Sequence, residues 1–181
     1  MSENIAEENI EKNIDKSEKM DFIGNILEQL ELPKPETNKY SPLTFAYLGD
    51  CVYEIVIRTM FVYQGNTAVQ KLHSRSCHLV KAKTQSDMIK VLEEELTEEE
   101  IAIFKRGRNA YSPTRAKNAS MSDYRRATGF EALMGYLYME KRYSRIVELV
   151  RKGLEALNEA PWKKDYQNKQ NNHKKKVNYT R

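Results

Sequence analysis

Asp50 and Glu131, eighty-one residues apart, are the two side chains of this chain whose surroundings point to chemistry. Asp50 interrupts the apolar run Leu43-Thr-Phe-Ala-Tyr-Leu-Gly-Asp-Cys-Val-Tyr-Glu-Ile-Val-Ile57, and Glu131 sits inside Ala127-Thr-Gly-Phe-Glu-Ala-Leu-Met-Gly-Tyr-Leu137. An ionised carboxylate drawn into a core is destabilising by several kcal/mol unless a charge or hydrogen bonds compensate it. Mg²⁺ takes oxygen ligands, keeps several waters and is typically bound through one or two carboxylates plus phosphate oxygens. Two such acids, in a chain with basic surface runs, point to a metal held against a phosphodiester. The competing reading pairs both acids with arginines such as Arg58, Arg125 or Arg126 and gives them no chemistry. Glu54, one turn after Asp50 on the same face, is either a third acid or a structural ion-pair partner.

Positioning these two acids requires two helices that approach closely. Gly49 directly precedes Asp50 and Gly135 lies one turn past Glu131. Glycine in a helix interior is unfavourable by roughly 1 kcal/mol relative to alanine, but it lets another backbone come near. The spacing therefore predicts a tight crossing that brings Asp50 and Glu131 within reach of one ion. Ser41-Pro42 reads as a cap and first-turn proline opening a long central helix that ends near Gly65. Shorter helices follow over Val69–Cys77 and Leu79–Leu96. Thr97 and Glu100 form a capping box that opens a helix through Lys105. Residues 107–120 read as a polar, basic connection, followed by helices from about Ser122 to Lys141 and from Tyr143 to Leu157. β-branched alternation, a glycine-rich loop after a strand and internal repeats are all missing, so the fold class is all-α.

Charge divides the chain into three. Residues 1–32 carry a net −6, residues 161–181 a net +6, and the residues between them +4. Residues 1–20 lack an apolar periodic face and 161–181 are rich in Asn, Gln and Lys, so both ends are expected to be disordered, around a domain at 21–160. The acidic start does not fit a secretory signal, and no apolar run reaches the ~18 residues of a membrane span. Cys51 and Cys77 have neither disulfide nor metal-ligand spacing. Cys51 reads as a small core residue and Cys77 as a bystander, consistent with a soluble protein of the reducing cytoplasm.

At Tyr47-Leu-Gly-Asp50 the sequence resembles the signature helix of the ribonuclease III catalytic domain. Phe130-Glu-Ala-Leu-Met-Gly135 resembles the partner helix of that domain. With Lys105-Arg-Gly-Arg-Asn-Ala110 as a third segment, the likeness spans about residues 40–157 and is nearest to the short bacterial subgroup, Mini-ribonuclease III. The resemblance implies a helical endonuclease domain in which Asp50 and Glu131 hold Mg²⁺, with Mn²⁺ as a substitute. It further implies hydrolysis of double-stranded RNA to 5′-phosphate and 3′-hydroxyl ends, and a homodimer in which each subunit cuts one strand. From the subgroup come a substrate, precursor large-subunit (23S) ribosomal RNA, and a ribosomal protein as candidate helper. Full-length members have further acids where this chain has Leu43, Ala46 and Thr128, which leaves fewer acids here for a tight two-metal cluster. Thr128 is an auxiliary candidate, as a ligand to a metal-bound water or merely as a packing residue. The separate double-stranded-RNA-binding domain of full-length members is expected to be absent, since only a basic, non-periodic tail of about twenty residues follows the matched region.

Such a domain must hold RNA with its own surface. The basic residues Lys71, His73, Arg75, Lys81, Lys83, Lys105, Arg106, Arg108, Arg115 and Lys117 are candidates for phosphate contact, which supplies most nucleic-acid affinity. Ser76, Gln85, Asn109 and Asn118 are candidates for the 2′-hydroxyls that distinguish RNA. The face around Tyr47, Cys51, Tyr136 and Tyr138 serves either a dimer contact or the internal core. Tyr124, Tyr136, Tyr138 and Phe130 have spacings typical of core. Two rival functions remain: an inactive RNA-binding or ribosome-assembly protein on the same scaffold, and an all-α metal-dependent nucleotide hydrolase. The second would draw on the Glu93–Glu100 run, whose capping-box pattern fits a solvated helix junction.

Overall fold

The structure, a computed structural model, describes residues 22–34, 36–111 and 120–162. The chain divides into two units, Met1–Lys39 and Tyr40–Arg181. In the first, the described residues form α1 (Phe22–Gln29) and a 3₁₀ turn at Thr37–Lys39. The second carries α2 (Pro42–Val62), α3 (Val69–Leu79), α4 (Ala82–Leu92), α5 (Glu98–Asn109), α6 (Met121–Met139) and α7 (Tyr143–Ala156). No strand occurs among the described residues, and the fold is all-α. The two tails expected to be disordered lie outside the described residues, apart from Pro161 and Trp162.

Local chemistry sets the helix ends. Ser41 Oγ accepts from the Thr44 amide at 3.1 Å and Pro42 occupies the first turn, where its missing N–H leaves no bond unmade. α2 stops at Val62, three residues before Gly65, whose φ of +135° favours glycine. At α5 the Thr97 hydroxyl accepts from the Glu100 amide while the Glu100 carboxylate accepts from the Thr97 amide, a complete capping box. The helix expected over Leu79–Leu96 begins three residues later, after a break at Val80 and Lys81, and ends four residues earlier. Leu79 ends α3, Lys81 is extended, and α4 opens at Ala82. The break is held by α4 side chains that take up the last carbonyls of α3: Thr84 Oγ1 donates to His78 O at 2.9 Å, and Gln85 Nε2 to Val80 O at 3.1 Å.

α2 crosses α6 at the centre of this unit, with α4, α5 and α7 packed around them. The core joins Tyr53 and Ile57 of α2, Met88, Ile89 and Leu92 of α4, Phe130, Leu133 and Leu137 of α6, and Leu149 of α7. Tyr53 meets Phe130 edge-on at 5.2 Å between ring centroids and donates its buried hydroxyl to Leu79 O at 3.1 Å. Two sequence expectations are corrected here. Cys51 is exposed, because α2 turns Tyr47, Cys51 and Ile55 outward while Val52 and Tyr53 face the core. Glu100, the last residue of the acidic run read as a solvated junction, is fully buried. Arg142, just before α7, and Arg145 within it reach its carboxylate at 2.9–3.1 Å.

Gly49 and Gly135 make the α2–α6 crossing feasible. A methyl group on Gly49 would stand 1.8 Å from the Glu131 carbonyl oxygen, and one on Gly135 would stand 2.0 Å from the Phe45 carbonyl oxygen. Both obstacles are backbone, so no rotamer change relieves them. Gly153, by contrast, would meet the flexible end of Met88. Gly49→Ala should therefore destabilise by about 3 kcal/mol or more, the upper end for overpacking, and Gly153→Ala by clearly less. Denaturant titration compares them; equal effects would mean that the helices separate freely.

Candidate active site

The glycine crossing places Asp50 and Glu131 at one junction. Asp50 follows Gly49 on α2, and the backbone against which Gly49 packs is that of Glu131 itself. Asp50 opens to solvent and Glu131 is partly covered. Burial raises the Glu131 carboxyl to about 7, with the negative charge of Asp50 adding to the rise and the Gln85 carboxamide, which favours the ionised form, opposing it. Asp50 is raised as well, by burial and then by Glu54. Neither acid has a lysine or arginine partner among the described residues. The arginines of the competing reading are engaged elsewhere or exposed: Arg58 holds Glu54 at 2.5 Å, Arg126 bonds Ser86 at 2.8 Å and Asp123 at 3.2 Å, and Arg125 is exposed. Glu54 thus takes its ion-pair role while its charge still reaches Asp50. Thr128 is buried and donates to Tyr124 O at 3.1 Å, so its hydroxyl is taken up inside α6.

The residues considered for RNA contact divide by exposure. His73 and Arg75 on α3, Lys83 on α4, and Lys105, Arg106 and Asn109 on α5 are exposed. Lys83 is ion-paired to Asp87. Arg108 is half-buried, with its guanidinium 5.6 Å from the centre of the Phe104 ring and its Nε donating to Asn109. The cations at 105, 106 and 108 stand in the last turns of α5, where the negative end of the helix dipole favours them. Two candidates are corrected. Ser76 is buried and donates to Leu72 O at 2.9 Å, and Gln85 is 1% exposed, so neither can meet a sugar hydroxyl. Lys117, Asn118 and Arg115 lie outside the described residues. Tyr136 and Tyr138 face inward, against Phe45 at 5.7 Å and Tyr143 at 5.8 Å, while Tyr47 faces out.

The sequence reading missed what surrounds α6. Asp123 is held down to about 2 by hydrogen bonds from Ser120, Ser86 and Arg126. That network fixes the start of α6 to α4, and with it the position of Glu131. Ser120 as helix cap three residues before Asp123 was the available signal.

The Ribonuclease III domain model matches residues 43–142, a span that contains both acids and all three exposed α5 candidates. The chain belongs to the ribonuclease III family. It is 48% identical over 122 residues to a Clostridium tetani protein named Mini-ribonuclease 3, covering 67% of this chain and 81% of that protein. A Thermoanaerobacter protein of the same name is 41% identical over 134 residues, 74% of this chain and 94% of that one. Among solved structures, a Fusobacterium nucleatum protein is 30% identical with a TM-score of 0.60, covering 65% of this chain and 95% of that one. Ribonuclease III is an endoribonuclease family, so the chain's enzyme class is settled with its fold.

The donor set fits a hydrated hard cation. Two carboxylates repel one another without a cationic partner, and no group of three His, Cys, Asp or Glu side chains is assembled among the described residues. Such a pair suits Mg²⁺ or Mn²⁺ with waters and phosphate oxygens, and not a dedicated all-protein cage. A pH effect follows. A carboxyl raised from its ordinary 4.5 to about 7 leaves stability unaffected below 4.5, lowers it progressively between the two values and fully above the higher one. Saturating Mg²⁺ should therefore raise the melting temperature at about pH 8 and leave it unchanged at about pH 5. Glu131→Gln should flatten the decline through that window. Circular dichroism melts read both, and an equal Mg²⁺ response at the two pH values would contradict the site.

Proposed function

We propose that this chain is a divalent-cation-dependent endoribonuclease that cuts double-stranded RNA as a homodimer, and that precursor large-subunit ribosomal RNA is among its substrates. The reading rests on one observation above the others: two unpaired acids with raised pKa values meet at the glycine crossing. In it, Asp50 and Glu131 hold Mg²⁺ or Mn²⁺. The cation, when bound, acidifies a water and polarises the scissile phosphate. Everything else falls to positioning by the protein. The exposed cations of α3 and α5 engage phosphates, and Arg108, supported by Phe104, presents a guanidinium of restricted orientation. Asn109 beside it can reach a 2′-hydroxyl, the group that separates RNA from DNA. No side-chain nucleophile is needed, since water attacks in line and leaves a 5′-phosphate.

An outward apolar stripe on α2 supports the homodimer. Tyr47 is 81% exposed and Ile55 62%, and Cys51 and Val62 lie along the same face at helical spacing. Such an exposed apolar stripe suits a self-complementary contact. It also gives a duplex two cutting centres, one for each strand.

Two experiments test the proposal. Asp50→Asn and Glu131→Gln should each abolish cleavage of a long RNA duplex in Mg²⁺ while duplex binding persists. An active Asp50→Asn protein would remove the assignment, and a wild-type protein that binds without cutting would favour an inactive RNA-binding protein on the same scaffold. Mapping the ends of large-subunit ribosomal RNA precursors in cells lacking the protein tests the substrate. Separately, Ile55→Glu should convert the protein to a monomer by analytical ultracentrifugation. A dimer that survives this change would place the contact elsewhere.

A further inference from the structure

Arg108 and Asn109, in the last turn of α5, form a donor surface of fixed direction. Arg108 Nε donates to Asn109 Oδ1 at 3.3 Å, and the Arg108 guanidinium lies 5.6 Å from the centre of the Phe104 ring, which restrains it. Phe104 is held in turn. It is 1% exposed, and its ring fills the space that Gly129 leaves, where a methyl group would stand 2.6 Å from Phe104 Cδ2. Gly107 presses into α6 alongside, and a methyl group there would stand 2.6 Å from the Ala132 Cβ and 3.0 Å from the Gly129 Cα. Gly129 and Ala132 bracket Glu131 in sequence, so the turn that carries Arg108 and Asn109 is fixed to the turn that carries Glu131. α5 ends at Asn109, whose side chain is exposed. A carboxamide has one acceptor oxygen and two N–H donors. With its oxygen turned to Arg108, Asn109 presents the two N–H bonds to solvent.

We propose that Asn109, held as a donor by Arg108, is a specificity-determining residue that reads the minor groove of the duplex and disfavours a G·C pair close to the cut linkage. This deepens the function proposed above and rests on it. The wide minor groove of an RNA helix displays 2′-hydroxyls and base edges together. Adenine N3 and uracil O2 are acceptors there, whereas a G·C pair adds the guanine amino donor. One N–H of Asn109 meets a 2′-hydroxyl oxygen, and the other meets the acceptor on the adjoining base edge. At a G·C pair the guanine amino group sets donor against donor. A freely rotating asparagine would answer by turning its oxygen to that amine, and the bond from Arg108 removes this choice. The packing of α5 on α6 keeps the preference near the cutting centre.

The test measures cleavage in Mg²⁺ of RNA duplexes with one mapped cut that differ by a single A·U or G·C pair at each position around it. The wild-type protein should cut the G·C duplex more slowly at one position close to the cut, by about 2–10-fold, the weight of one neutral hydrogen bond. Inosine in place of that guanosine removes only the amino group and should restore the A·U rate with the protein unaltered. Asn109→Ala should level the two rates. Arg108→Lys, which keeps the charge but loses the Nε–H, should level them as well. Each comparison is a ratio within one protein, so a general loss of RNA affinity does not enter it. Wild-type cleavage indifferent to the pairs near the cut, a preference that inosine leaves in place, or one that survives either substitution overturns the proposal. A wild-type protein that cuts none of the duplexes instead removes the function on which the inference rests, and the inference falls with it.

Discussion

Contact between the α2 and α6 backbones, made possible by Gly49 and Gly135, is the constraint on which the rest depends. With any side chain at either position the helices would stand apart by the width of a methyl group or more. The approach does two things together. It seals the centre of the core, where Tyr53 meets Phe130, and it presses the Asp50 and Glu131 segments into one place. Two like charges are thereby held where burial and mutual repulsion both oppose ionisation. The stability of the fold and the poise of the site come from the same contact.

Glu100 and Glu131 show why that poise points to chemistry. Burial acts on both to disfavour the charged form. At Glu100 it is overcome by hydrogen bonds from Arg145 and the Thr97 amide and by the charges of Arg145 and Arg142, so that the carboxylate sits below its usual range. At Glu131 only Gln85 opposes it, and the carboxyl rises. The first is a clamp that fastens α5 to α7, complete within the protein. The second lacks its counter-charge, which is the condition that an arriving cation satisfies.

Much of this was legible from residue types alone. Ser41-Pro42, the Thr97–Glu100 capping box and the glycines at 49 and 135 each have one dominant physical meaning, and each is met in the structure. What failed to read was the facing of side chains on helices that are apolar on most sides. Cys51 differs from Val52 by one position, and on α2 the periodicity barely distinguishes inward from outward. Ser76 and Gln85 were read as RNA contacts because polar residues usually face water. Their burial depends on the α3–α4 break, whose capping bonds come from Thr84 and Gln85 themselves. Glu100 is hidden for a related reason: its partners lie more than forty residues away, at the start of α7.

The small number of acids has a consequence for how the site works. Ala46 is buried and the Thr128 hydroxyl is committed to Tyr124, so neither adds a ligand. An ion held by two carboxylates keeps most of its coordination positions for water or phosphate oxygens. In the function proposed above, RNA would supply ligands that the protein lacks, and the affinity of each partner would depend on the other. Linkage makes this reciprocal: whatever factor the duplex adds to cation affinity, the cation adds to duplex affinity. On the same reading the exposed cations of α3 and α5 would bind phosphate without the ion, but along the whole backbone of the duplex. The carboxylate pair would act at one linkage, and only when ion and RNA are present together.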